Sequence, residues 1–260
     1  STLFPYTTLF RSEIGPDEYP MRISNKNDIL LFIIDNLIWV FVVIALVIFS
    51  LLSDQFLTPN NLVNILYRMA ALGLLVIGQS FTMITANFDL SAESTMGVTA
   101  MIAALLMASA ADGGWGLELS PVLAILIMLA VGALIGLFNG TLITRMNMNN
   151  FITTVAMMMV LRGATYALSP GRSISFFPKE FNWLGGGTLA RIPLASGGNL
   201  VIPTAAVFLI LAFLVAFVIT RYRRFGRNMY AVGANRAAAE AAGISSKKVI
   251  VAVYVISGVC

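Results

Sequence analysis

The chain has no histidine and a single cysteine, Cys260, and charged residues make up only 11% of its 260 residues. One cysteine rules out an internal disulfide framework. Without histidine, neither a structural zinc site nor a Ser-His-Asp triad can be assembled. The pattern G-x-x-x-x-G-K-[ST] is also missing, so the chain carries no P-loop for ATP. Ordinary soluble domains carry roughly 25% charged residues, and a chain with 58% hydrophobic residues could not cover itself in water with so few. The expected class is a polytopic membrane protein, all-α, built as a bundle of transmembrane helices. The net charge of +4 points to a basic cytoplasmic face rather than to nucleic acid. No cofactor or metal is expected in the chain itself.

Apolar runs supply the architecture. Ile29–Leu52 exceeds the roughly 20 residues needed to cross a hydrocarbon core, and no small-residue cleavage site follows it, so it reads as a retained first span. Further spans are expected at Leu62–Thr85, Ser94–Ala110, Pro121–Thr144, Phe151–Leu168 and Val201–Thr220, with a seventh starting near Lys248 and still running at Cys260. A long loop, Ser169–Leu200, separates the fifth and sixth.

Lys and Arg in short loops set the orientation. Arg221, Arg223, Arg224, Arg227, Arg236, Lys247 and Lys248 lie between the sixth and seventh spans against one acid, Glu240. That loop is therefore cytoplasmic. By alternation the N-terminus, Arg145, Arg22 and Lys26 also fall inside, and Asp54, Asp112 and Glu118 fall outside.

Four stretches are candidates for function. In TMITANFDLSAESTMG, Asp89 and Glu93 are the only charges between Met69 and Ala110, flanked by Asn87 and Ser91. Two readings fit: a helix break beside a polar pathway, since irregular backbone at membrane depth must be buried in protein or line a cavity, or an ordinary turn at the inner face. In GALIGLFNG, Gly132, Gly136 and Gly140 repeat the GxxxG spacing that lets helices approach closely. Arg162, about three turns into an apolar span, needs a carboxylate, carbonyls or water, or else snorkels at the outer boundary.

The fourth stretch is RYRRFGRNMYAVGANRAAAEAAGISSKK. Asn235 reads as an N-cap, Arg236–Ala242 as two helical turns, and Gly243 as the stop. Arg236 and Glu240 stand at i, i+4. Isolated helices below about 12–15 residues rarely persist, so this alanine-rich surface is expected to press into a groove on another protein. A solvated loop with a basic anchor would explain the arginines but not the capped turn.

These blocks, with FLTPNNLVNIL and FITTVAMMMVLRG, follow one another in an order that resembles the permease subunits of bacterial ATP-binding cassette importers of the ribose type. The resemblance runs from about Phe56 to Cys260. It implies a bundle like that of the type II (cobalamin-importer) permeases and alternating access by a dimer with a second permease copy or paralogue. It also implies separate ATPase subunits that bind ATP and Mg, and a periplasmic or lipid-anchored solute-binding protein. The location implied is the bacterial inner membrane, among its lipids. Asn235–Ile244 becomes the coupling element that docks on the ATPase, with Gly226, Arg227, Tyr230 and Gly233 positioning it. The family's glycine pair before the DLS turn is Asn87–Phe88 here, and its usual Val-Gly afterwards is Ala92–Glu93, so an acid has been added. The solute implied is a monosaccharide; nucleoside and branched-chain amino acid permeases share the architecture. A secondary transporter would need coupling-ion residues and commonly an inverted repeat, and no convincing repeat is present. A membrane-embedded enzyme would have only Asp89 and Glu93 as paired carboxylates.

Thr2–Ser12, TLFPYTTLFRS, resembles the codon-for-codon translation of an adapter-primer used in short-read DNA sequencing. Residues 1–12 are accordingly expected to be an artefactual tail, 13–28 a cytoplasmic segment, and 29–260 the permease domain with an incomplete last span.

Overall fold

The computed structural model describes residues 32–260 apart from 172–173, 175–176 and 194–198. The tail at 1–12, the segment 13–28, the first residues of the first span and Arg172 lie outside the described residues. The chain divides into two compact units, one ending at Leu57 and one running from Thr58 to Cys260.

In the first unit, helix α1 spans Leu37–Leu52. The span expected from Ile29 is described from Phe32, with a local irregularity at Asn36 (φ −112°, ψ 24°), whose side-chain amide donates to the Phe32 carbonyl at 3.0 Å while its backbone N–H and carbonyl keep their helical bonds to Phe32 and Val40. The helix stops at Ser53, which is extended, and Phe56 folds back onto Phe49 with ring centroids 5.6 Å apart.

The second unit is a helical bundle. Its helices are α2 (Pro59–Ile84), α3 (Ala92–Met107), α4 (Pro121–Arg145), α5 (Asn150–Leu168), α6 (Lys179–Gly186), α7 (Thr204–Tyr222), α8 (Arg224–Ala234), α9 (Arg236–Ala241) and α10 (Ser246–Val259). Pro59 and Pro121 occupy first-turn positions, where the missing N–H costs no helical bond. Asn149 caps α5 by accepting from the Phe151 and Ile152 amides. Among the described residues four helices, α2, α4, α5 and α7, are long and apolar enough to cross a membrane; α1 and α3 are apolar but shorter. The chain is an all-α polytopic membrane bundle.

Three expectations are corrected here. The third span ends at Met107, because Ala108 is already extended at ψ 146°. The loop 169–200 contains α6 and a strand, β1 (Thr188–Pro193), which pairs antiparallel with β2 (Asn199–Pro203). Val201–Pro203 therefore belongs to a hairpin, and the sixth span starts at Thr204. The basic loop is largely helical: in α8, Phe225, Met229 and Val232 fall at i, i+4 and i+7, an amphipathic spacing, and Met229 and Val232 are buried.

The larger core lies where the ends of α2, α4, α8, α9 and α10 meet, and includes Phe81, Ile143, Met229, Val232, Ala239, Val249, Val253 and Tyr254. We call this the basic end. A smaller cluster of Ala103, Met107 and Ala124, with Phe177 and Phe181 against it, lies at the far end of α3. Elsewhere large apolar side chains face outward, as do Phe213 and Leu214 on α7. That arrangement suits lipid rather than water.

The closest packing is between α4 and α10. A Cβ on Gly132 would strike the Gly258 carbonyl, one on Gly136 the Tyr254 carbonyl, and one on Gly140 would lie 2.9 Å from the Val251 Cα. The small residues let backbone meet backbone, so dispersion rather than a hydrophobic driving force holds the pair in lipid. Gly136→Val should cost about 1–3 kcal/mol through overpacking, read as a lower midpoint of thermal unfolding in detergent. Gly163→Ala, which has open space around its new Cβ, should leave that midpoint unchanged.

Candidate functional site

The polar stretch between α2 and α3 is the first element of the site. Ala86 takes a left-handed φ of 56°, which ends α2, and residues 87–89 carry no regular structure. Asn87 donates to the Thr85 carbonyl at 2.8 Å and accepts from Asn150 at 3.4 Å, which fixes it beside the start of α5.

Asp89 then turns inward and is 5% exposed. Its Oδ1 accepts from the Ser91 amide at 3.0 Å and the Ser91 hydroxyl at 2.6 Å. Its Oδ2 accepts from the Ser257 hydroxyl at 2.8 Å. Ser91 in turn accepts from Asn139 Nδ2 at 2.9 Å, and the Tyr254 hydroxyl donates to the Phe88 carbonyl at 2.8 Å. Ser257 stands eleven residues along α10 from Ser246, a rise of about 16 Å. Three helices thus converge on a single non-helical segment well inside the bundle. Asp89 and Ser91 of this segment are buried, whereas Ala86, Phe88 and Leu90 are exposed.

Glu93 follows in the first turn of α3. Its Oε2 accepts from Arg162 Nη2 at 3.1 Å. Arg162 lies twelve residues beyond Asn150 on α5, about 18 Å along that helix. Arg162 thus has a carboxylate partner, Glu93.

The second element is the α8–α9 platform. Gly226 is buried, and a Cβ there would strike the Thr220 carbonyl. Gly233 is set directly against the Ile84 carbonyl at the end of α2. Arg227 and Tyr230 of α8 are exposed. Asn235 caps α9 by accepting from the Ala238 amide at 3.0 Å, and Gly243 closes it at φ 81°. Only Ala239 of α9 is buried; Ala237, Ala238, Ala241 and Ala242 are exposed. Arg236 Nε lies 3.5 Å from Glu240 Oε1 and donates to the Ser246 hydroxyl at 3.1 Å, while Ser246 donates to Glu240. The hydrogen bond from Ser246, and then Arg236, hold the Glu240 carboxyl below its ordinary value.

Sequence reasoning missed Asn139, Tyr254, Ser257 and Ser246. Asn139 was visible as the one carboxamide inside the glycine stripe GALIGLFNG. Nothing local marks Ser257 or Ser246, whose partners are distant in sequence or across a turn.

Geometry of this kind defines a polytopic membrane protein with a short capped helix presented at its basic end. The chain belongs to the family described as branched-chain amino acid transport system / permease component, whose model matches residues 61–260. It is similar to the ribose import permease protein of Escherichia coli (strain K12), 32% identical over 86% of this chain and 64% of that protein. The ribose import permease protein of Bacillus subtilis (strain 168) is 33% identical over 83% of this chain and 62% of its own length. The D-allose transport system permease protein of Escherichia coli is 30% identical over 85% and 63% respectively. The chain thus spans just under two thirds of the length of these relatives. No solved structure matches.

Two outcomes test the site. Ser257→Ala leaves Asp89 Oδ2 without its donor and should destabilise by about 1–3 kcal/mol; a double-mutant cycle with Asp89→Ala should be non-additive. Because the Glu240 value is lowered in the folded chain, its contribution is complete above the ordinary carboxylate value of 4.5 and is lost as pH falls through the lower folded value. Ser246→Ala should raise the midpoint of the Glu240 carboxyl titration followed by NMR.

Proposed function

We propose that the chain is the membrane-spanning part of a permease subunit of an ATP-binding cassette importer, carrying a monosaccharide into a bacterial cell by alternating access. The observation that carries this reading is α9: a helix of six residues, capped at both ends, with three of its alanines and Ala242 just after it exposed. A helix this short gains little from its own hydrogen bonds, so its cap and its exposed apolar face make sense as a pre-formed knob for a groove on a partner. The basic residues around it support a cytoplasmic position for that partner.

The partner is an ATPase subunit that holds ATP and Mg. A second permease copy or paralogue completes the path, and a periplasmic or lipid-anchored binding protein delivers the solute. The N-terminus is cytoplasmic and the membrane is the bacterial inner membrane. Support for a sugar comes from relatives named for ribose, D-allose and galactose import, although the family description names branched-chain amino acids.

Ala237→Glu combined with Ala241→Glu should weaken docking by about 2 kcal/mol or more, seen as loss of co-purification with the ATPase subunit while membrane insertion and thermal midpoint are kept. Retained co-purification would sink the assignment.

A further inference from the structure

The Arg162–Glu93 pair opens onto a groove of about 350 Å³ whose walls include Ser94, Gly97, Thr165 and Tyr166. Both charged side chains are more than half exposed, at 58% and 67%. At this depth along α5, charges turned toward hydrocarbon would be costly, and such residues usually face a cavity, water or a partner. Ser94 is 5% exposed, and its Oγ has no hydrogen-bond partner among the described residues. A buried hydroxyl without a partner is uncommon in native structures and calls for a missing group.

Building on the monosaccharide reading above, we propose that this groove is a solute-contacting station on the translocation path, fitted to a neutral polyhydroxylated solute. The pair makes one hydrogen bond, Nη2 to Oε2. A guanidinium has five N–H donors and a carboxylate about four acceptor positions, so most of this capacity points elsewhere. Each sugar hydroxyl both donates and accepts. Neighbouring hydroxyls can accept from Arg162 and donate to Glu93 without breaking the ion pair. Tyr166, 70% exposed, offers an aromatic face to the C–H side of a sugar ring.

Gly97 allows a direct test, because a Cβ there meets nothing within 4 Å. Cys260 is the only cysteine of this sequence, so Gly97→Cys, with Cys260 and any cysteine beyond this sequence changed to Ser, places one thiol in the groove. The full-length permease is reconstituted with its ATPase and binding protein in liposomes and treated with a charged, membrane-impermeant thiosulfonate. The expected result is rapid labelling, slowed several-fold by saturating ribose or galactose but not by leucine. Arg162→Gln should remove the sugar protection with labelling retained. Reaction only with a lipid-soluble maleimide would show that the groove faces lipid and overturn the proposal. ATP-driven uptake in the same liposomes keeps the two readings apart. Sugar uptake without protection overturns the groove alone, whereas leucine uptake in place of sugar overturns the monosaccharide reading and the groove with it.

Discussion

Asp89 is a carboxylate without a cationic partner among the described residues, held by three hydrogen bonds from Ser91 and Ser257. It sits where the backbone between α2 and α3 abandons helical geometry inside a bundle built for lipid. There, unpaired backbone groups find no water and each is costly. The Tyr254 hydroxyl on the Phe88 carbonyl and the Asn139 amide on Ser91 satisfy the same segment from two other helices. The irregular segment can exist only because these side chains complete it, and α3, α4 and α10 are tied together by the need to do so.

Helix packing and this polar network share a region. Tyr254 and Ser257 are on α10, and the Tyr254 and Gly258 carbonyls are the atoms against which Gly136 and Gly132 of α4 rest. Close backbone approach brings the polar side chains of α10 within reach of Asp89, and Asn139 lies between Gly136 and Gly140 on the facing helix. Small residues set the distance and polar residues set the register. Larger residues at the glycine positions would separate the helices and stretch the hydrogen bonds to the 88–91 segment.

Much of this was legible from sequence because lipid imposes simple rules. Apolar run length located the membrane helices α2, α4, α5 and α7, and the arginines located the basic end. The cap at Asn235 and the stop at Gly243 were readable because capping chemistry is local. The misses have physical causes too. Asn36 makes a local irregularity in an apolar run that hydropathy alone treats as continuous. The hairpin Thr188–Pro203 looked like loop because a two-stranded ribbon needs few residues and leaves little periodicity. Helix α8 was masked by its charges, although Phe225, Met229 and Val232 carried the amphipathic spacing. The partner of Arg162 depends on how far the 87–91 segment climbs into the bundle, which no local pattern encodes.

Gly233 has a mechanical meaning beyond close packing. Its Cα rests on the Ile84 carbonyl with no side chain between them. A contact made through long side chains absorbs small displacements by rotamer changes, as a soft bearing does. A backbone-to-backbone contact has no such slack. Movement of α8 toward α2 would be passed at once to the residue after which α2 gives way to the irregular segment, and Asp89 stands five residues further on. The glycine makes this junction a stiff joint between α8 and the end of α2, just ahead of the irregular segment.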